Sequence, residues 1–238
     1  MTSVTPLHLD WPNCLNARDL GGLPTADGRT IRREALVRTD NHTKLTEEGV
    51  RAVKEYGVSR IIDLRRTTEC ERAPSPFQGS SLYRSIPVQD PADPDNESLS
   101  LAEIYIAMLD LRPQLFAAAV GAIADAPPGP VVVHCAGGKD RTGMVVAMAL
   151  RIAGVEPDVI AQDYALSQER LAEENAAVLA RIEDPVLREN VRRLQVTAPE
   201  TMLTTLAHLE SRYGGVAEYL KGGGLTDDQL TALRQRLV

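Results

Sequence analysis

The chain has 238 residues, 43% apolar and 25% charged, an ordinary globular composition long enough to bury a core without disulfide or metal staples. Lys and Arg number 26 against 33 Asp and Glu, a formal charge of −7 that argues against a general nucleic-acid or membrane-surface binder with a broad basic face. Cys14, Cys70 and Cys135 are odd in number and far apart, and His8, His42, His134 and His208 show no metal spacing. Reduced thiols in a cytosol-like compartment are therefore expected, with no metal and no cofactor.

Met1 to Asp10 has no basic segment leading into an apolar run, so no conventional signal peptide is expected, and unconventional export stays open. The first thirty residues read as loop and turn packing on the core, through Trp11-Pro12-Asn13, Gly21-Gly22 and Asp27-Gly28. Ala35 to Arg38 is a short strand. Thr46 caps a helix that runs to about Tyr56 and stops at Gly57. Val58 to Leu64 reads as a buried strand, and Leu82 to Val88 as another that ends near Pro87. A polar loop, Gln89 to Glu97, follows. Ser100 and Glu103 form a capping box for a helix toward Leu111, and Pro113 opens a second helical stretch through Ala124. Val131-Val132-Val133 has the pattern of a central strand buried on both faces.

From Thr142 onward the chain reads as helical almost to its end. Asp184-Pro185, Thr197 with Glu200, and Thr226 with Gln229 mark helix starts. The longest strictly apolar run, Met144 to Leu150, is too short to span a bilayer, so no transmembrane segment is expected. Strands alternating with helices predict an α/β fold: a mostly parallel central sheet flanked by helices, with a helix-rich C-terminal half. No linker stands out, so residues 1–238 read as a single domain, with 142–238 mostly helical.

The chemistry is concentrated in residues 131 to 145, VVVHCAGGKDRTGMV. A buried strand delivers His134 and Cys135 into a glycine-containing loop, and a helix follows near Thr142. From Cys135 to Arg141 the spacing is C-x5-R. A loop of that length at a helix N-terminus can aim the amides from Ala136 through Gly137, Gly138, Lys139 and Asp140 to Arg141 at one phosphate. The glycines allow close approach, and Arg141 brings a bidentate fork to two phosphate oxygens. Loop amides and a guanidinium also make the positive surroundings in which a thiol acts as a thiolate nucleophile. A Walker A loop is excluded because Asp140 follows Lys139 where Ser or Thr is needed.

HCAGGKDRTG resembles the active-site loop of the cysteine-dependent protein tyrosine phosphatase superfamily. Its Lys-Asp pair resembles the atypical bacterial branch that includes the mycobacterial phosphatase B type of tyrosine, dual-specificity and lipid phosphatases. Asn16-Ala17-Arg18-Asp19, Ile62-Asp63-Leu64-Arg65, and Tyr213-Gly214-Gly215 with Tyr219-Leu220 are similar to the same branch. The resemblance implies a metal-independent phosphomonoester hydrolase. Cys135 attacks phosphorus to form a phosphocysteine intermediate, and the loop amides and Arg141 stabilise the transition state. Thr142 hydrogen-bonds the sulfur, and His134 orients the loop from behind. Lys139 is a second cation at the loop rim, suited to a multiply phosphorylated head group. The implied partners are phosphorylated protein or phosphoinositide substrates and phosphate-like anions.

A leaving alkoxide or phenolate needs a carboxylic acid nearby. Asp90, which opens the loop after the second long strand, is the first choice and resembles the acid position of the branch. Asp93 and Asp95 share that loop, and Asp140 is the runner-up. Asp63 is expected to hold arginines or loop amides in place. Arg18 and Arg65 line the pocket or form structural salt bridges. Cys14 and Cys70 read as bystanders, and Gln168 to Arg193 as solvated helix surface with i,i+4 pairs. The segment from Asp90 to Leu111 is a candidate lid. Two further readings stand beside the leading one: a phosphatase of soluble inositol phosphates or small phosphoesters, and a catalytically silent phospho-binding module.

Overall fold

The computed structural model describes residues 6–90 and 99–238. Strands β1 (Leu7–His8), β2 (Arg18–Asp19), β3 (Leu36–Thr39), β4 (Arg60–Asp63), β5 (Tyr83–Ser85) and β6 (Val131–His134) form one sheet in the order β1-β2-β3-β6-β4-β5. The pairs β3–β6, β6–β4 and β4–β5 are parallel; β1–β2 and β2–β3 are antiparallel. The sheet is thus mixed but mostly parallel. Its central strand, β6, carries the apolar β-branched run Val131–Val133 followed by His134, and all four of its residues are buried, as a strand covered on both faces requires.

The helices in chain order are α1 (Glu47–Glu55), α2 (Thr67–Arg72), α3 (Leu101–Leu111), α4 (Pro113–Ala124), α5 (Asp140–Ile152), α6 (Pro157–Arg170), α7 (Ala172–Ala180), α8 (Pro185–Gln195), α9 (Pro199–Tyr213), α10 (Val216–Gly222) and α11 (Asp227–Leu237). The larger apolar core joins β3, β4 and β6 to α3, α4, α5, α6, α9, α10 and α11. A smaller cluster, with Trp11, Val53, Val58 and Phe77, packs the N-terminal segment and α1 on the other side. No single helix among the described residues is long and apolar enough to cross a membrane. The bent pair α3 and α4, 87° apart, is apolar because it seats Tyr105, Leu109, Phe116 and Val120 in the core.

Local chemistry explains most boundaries. Thr46 accepts the Gly49 N–H at the start of α1, and Ser100 and Thr226 head capping boxes with Glu103 and Gln229. Asp184 accepts the Val186 and Leu187 amides ahead of Pro185 at the first position of α8. Four expectations need correction. Residues 1–30 are not all loop, since β1 and β2 make the antiparallel edge; Arg and Asp have little strand preference, and β2 exists because it pairs with β3. The strand read as Leu82 to Val88 shrinks to Tyr83–Ser85, ahead of Pro87, which has no N–H to donate. Thr197 does not cap α9. Ala198 takes that place because Pro199 fits the first helical turn, and the Thr197 N–H donates to Gln168 Oε1 at 2.6 Å. Helix α5 begins at Asp140, two residues before Thr142, so Asp140 and Arg141 lie inside its first turn.

Candidate active site

The parallel register brings three strand ends level. Thr39 of β3 and Asp63 of β4 both stand opposite His134 of β6. Cys135 follows immediately, so the loop to α5 leaves the carboxyl edge of the sheet, the usual place for ligands in open α/β sheets. The neighbouring strands continue past their ends to grip it. The Leu64 N–H donates to His134 O at 2.9 Å, and the Asn41 N–H to Ala136 O at 2.9 Å.

The loop carbonyls are claimed one after another from outside. His134 Nδ1 lies 3.1 Å from Cys135 O. Asn16 Nδ2 donates to Gly137 O at 3.0 Å and to Gly138 O at 3.2 Å. Arg38 donates to Gly138 O at 2.8 Å and to Lys139 O at 3.3 Å. A peptide's N–H points away from its C=O, so tying the carbonyls outward turns the amides inward. Among the described residues, none of the N–H groups from Ala136 to Arg141 donates to another protein group. Gly138 makes the turn possible at φ +64°, where an added Cβ would stand 2.1 Å from Thr39 O.

Cys135 is 2% exposed at the base of this loop. Arg141 returns over the first turn of α5, 12% exposed, with its fork on Glu69: Nη1 to Oε2 at 2.5 Å and Nη2 to Oε1 at 3.0 Å. Burial works against the Arg141 charge, but Glu69 and the Cys135 sulfur outweigh it and raise its pKa. Burial likewise pushes Glu69 up and Arg141 pulls it below the usual carboxylate range. Glu69 also accepts the Arg66 N–H at 2.9 Å, which anchors it at the start of α2. The Thr142 hydroxyl is buried in the first turn of α5 with no hydrogen-bond partner among the described residues.

A buried ionic cluster holds the grip. Asp163 of α6 pairs with Arg18 Nε and Arg38 Nη1, each at 2.7 Å, and all three side chains are at most 1% exposed. Arg18 also donates to Asn16 O and Oδ1 at 3.1 and 2.6 Å. Burial pushes the Arg18 pKa down to about 10 despite Asp163. Asp163 is held below the usual range because Arg18 and Arg38 outweigh its desolvation. Asp63 meets Arg65 Nη2 at 2.6 Å, the Tyr83 hydroxyl at 2.9 Å and His134 Nε2 at 3.6 Å. Burial pushes Asp63 up, but His134 and Arg65 bring it below the usual range. His134 stacks on His42 with ring centroids 4.3 Å apart, and burial lowers both pKa values.

Several expected site residues therefore sit elsewhere than the pocket wall. Arg18 and Arg65 are buried in ion pairs, because a guanidinium at 0–2% exposure has to face a carboxylate. Lys139 is not a free cation at the rim. Its side chain is 7% exposed, and its ammonium donates to Leu194 O at 2.6 Å and meets Asp140 Oδ1 at 3.2 Å. Cys14 and Cys70 are buried thiols with raised pKa values, chiefly from desolvation and then from Asp40 and Asp63. Helix α3 seats Tyr105 and Leu109 in the core, and residues 91–98 of the candidate lid lie outside the described residues. Asp90 is half-buried beyond β5, next to Gln89, whose amide reaches Met108 Sδ on α3 at 3.6 Å. Asp93 and Asp95 lie outside the described residues. In the region 168–193 the i,i+3 pair Arg192–Glu189 appears. Among the described residues, no three His, Cys, Asp or Glu side chains gather as a metal site.

The sequence reading missed Glu69, Arg38, Asp163, Asn16 as a side-chain anchor, and Tyr105. One signal was available for Asp163: it lies on the face of α6 that buries Ile160, Tyr164 and Ser167, where a charge demands a partner.

The sequence matches the Tyrosine phosphatase family over residues 9–238. The chain belongs to that family. This phosphatase is 29% identical over 228 residues to a tyrosine-protein phosphatase of Nostoc commune, covering 90% of its own chain and 78% of the relative. It is 27% identical over 253 residues to the triple specificity protein phosphatase PtpB of Mycobacterium tuberculosis, covering 92% of its own chain and 88% of that relative. It is a hydrolase of the tyrosine phosphatase type, and its substrates are phosphorylated. Gly214 at φ +80° ends α9, and the Tyr213 and Tyr219 rings meet at 5.0 Å.

Proposed function

We propose that the phosphatase hydrolyses phosphotyrosine through a phosphocysteine on Cys135 and extends to phosphoserine, phosphothreonine and phosphoinositides. The observation that carries this reading is the run of loop carbonyls tied to Asn16, Arg38 and Asn41, which leaves the amides from Ala136 to Arg141 without a protein acceptor among the described residues and so available to an anion beside Cys135. In the first half-reaction the Cys135 thiolate attacks phosphorus, the S–P bond forms, and the ester P–O bond breaks. The bridging oxygen takes a proton from Asp90 as the leaving alcohol departs. Amides and Arg141 carry the charge on the equatorial oxygens. In the second, water gives a proton to the Asp90 carboxylate as it attacks phosphorus, the S–P bond breaks, and the departing sulfur is stabilised by the Thr142 hydroxyl. The unpaired, buried Oγ1 of Thr142 supports that role.

Breadth beyond phosphotyrosine is supported by similarity to a relative named for triple specificity and by Lys139 within the loop. On binding a second phosphate, Lys139 would exchange Leu194 O for an anionic oxygen. The three free thiols suit a reducing, cytosol-like compartment.

The test is p-nitrophenyl phosphate turnover in EDTA. Wild-type protein is expected to turn over, and Cys135→Ser to bind phosphate without turnover. A Cys135→Ser protein as active as wild type would end the phosphocysteine reading. Wild-type activity of Asp90→Asn on an alkyl phosphate would remove Asp90 as the acid. A panel of phosphopeptides and phosphoinositides compared by kcat/KM decides breadth.

A further inference from the structure

The loop that is to receive a phosphate contains an anion of its own. Asp140, the first residue of α5, has a side chain 40% exposed, flanked by Lys139 and Arg141. A carboxylate there repels an incoming dianion unless its charge is tied up. The Tyr105 hydroxyl of α3 donates to Asp140 Oδ1, and Lys139 Nζ stands 3.2 Å from the same oxygen. The Tyr164 hydroxyl of α6 lies 2.9 Å from that of Tyr105. With Tyr105 donating to Asp140, Tyr164 donates to Tyr105, so the chain runs Tyr164, Tyr105, Asp140.

This chain is built into the core. Tyr105 and Tyr164 are each 1% exposed, with rings edge to face at 6.3 Å and 84°. The Tyr164 ring packs on the first turn of α5 so closely that a Cβ on Gly143 would lie 3.0 Å from it, which accounts for the glycine after Thr142. Burial, and then Asp140, raise the Tyr105 pKa well above its usual value, so its proton stays available for donation.

We propose that Tyr105, backed by Tyr164, is a positioning residue that pins the Asp140 carboxylate and takes up its charge, so that the adjacent loop accepts a phosphate dianion. The proposal rests on the phosphate-loop reading. Tyr105 touches no substrate and acts through Asp140. Its loss weakens binding of any phosphate group and leaves the bond-breaking groups, Cys135 and Arg141, in place.

The experiment measures inorganic phosphate affinity by calorimetry and p-nitrophenyl phosphate kinetics on the full chain. Tyr105→Phe is expected to raise the phosphate Kd and KM about 3- to 10-fold, with kcat within about twofold of wild type. Tyr164→Phe is expected to do the same more weakly. In an Asp140→Asn background Tyr105→Phe should cost nothing further, because the charge it manages is gone. Tyr219→Phe is the control. It removes another buried hydroxyl, which donates to Leu109 O of the same helix at 2.8 Å, and should leave phosphate affinity unchanged.

Wild-type affinity in a folded Tyr105→Phe overturns the proposal. So does an equal loss in the Asp140→Asn background, or an equal loss in Tyr219→Phe. If wild-type protein binds no phosphate at all, the phosphate-loop reading falls and this proposal with it, an outcome distinct from the other three.

Discussion

Replacing Asp163 by Asn removes one negative charge from between two buried guanidiniums. Arg18 and Arg38 each meet it at 2.7 Å, with all three side chains at most 1% exposed. The carbonyls of Asn16, Gly138 and Asp163 still accept hydrogen bonds from the arginines, but among the described residues no other carboxylate pairs with them. Breaking a buried ion pair by removing one partner costs about 3–5 kcal/mol. A chain of this length loses about 2–4 °C of midpoint per kcal/mol, so the unfolding midpoint should fall by about 6–20 °C. Activity should fall more steeply than stability at a temperature where the variant is folded, because Arg38 is also the donor to Gly138 O in the loop. The assay is calorimetric unfolding at neutral pH, paired with phosphate-ester turnover well below the variant's midpoint. Glu189→Gln, which breaks the exposed pair with Arg192, is the comparison and should move the midpoint by no more than about 2 °C. An Asp163→Asn midpoint within about 2 °C of wild type would refute the claim that this carboxylate holds the cluster together.

Glu69→Gln leaves Arg141 with a neutral partner in place of its bidentate carboxylate, and kcat/KM should drop by about 10- to 100-fold with little change in midpoint. Unchanged kinetics would mean that the loop orients Arg141 without help. Gly138→Ala combines a left-handed backbone with a Cβ 2.1 Å from Thr39 O, so the loop must shift by about 1 Å, and turnover should fall by about 100-fold or more. A kcat within twofold of wild type in that variant would show that the loop conformation is dispensable. Stability should decline with acid in two stages, followed by urea unfolding from pH 8 to 3. His42 and His134 are held neutral by burial, so the unfolded chain binds protons that the native state does not, and stability is lost as pH falls below about 6.5. Asp63, Glu69 and Asp163 have lowered native pKa values, so their contribution is full above the unfolded value and lost as pH falls below about 4. A profile flat between pH 8 and 5 would contradict the first stage.

The loop from Cys135 to Arg141 was legible because it is contiguous: the strand, the nucleophile, the glycines and the arginine occupy one short stretch with one local geometry. The capping boxes at Ser100 and Thr226 and the start of α8 at Asp184 were legible for the same reason, since their hydrogen bonds span two or three residues. Thr197 misled because Pro199 moved the helix start by one residue. Lys139 misled because a long side chain next to a loop reads as a rim cation until Leu194, fifty-five residues away, supplies a carbonyl for it. The short strands β1 and β2 carry no periodicity of their own and exist through pairing.

By itself the sequence determined the chemistry on offer: a thiol and a guanidinium set around a glycine-bearing loop between a buried strand and a helix. The tertiary structure decided what makes that loop a site. Asn16, Arg38 and Asn41 turn its carbonyls outward from more than 90 residues away in the chain, and Glu69 and Tyr105 meet its charged groups from other helices. The physical reason is that a peptide loop does not fix the direction of its own dipoles. They are fixed by donors on neighbouring elements, and which donors those are depends on the parallel register that brings Thr39, Asp63 and His134 level at one edge of the sheet.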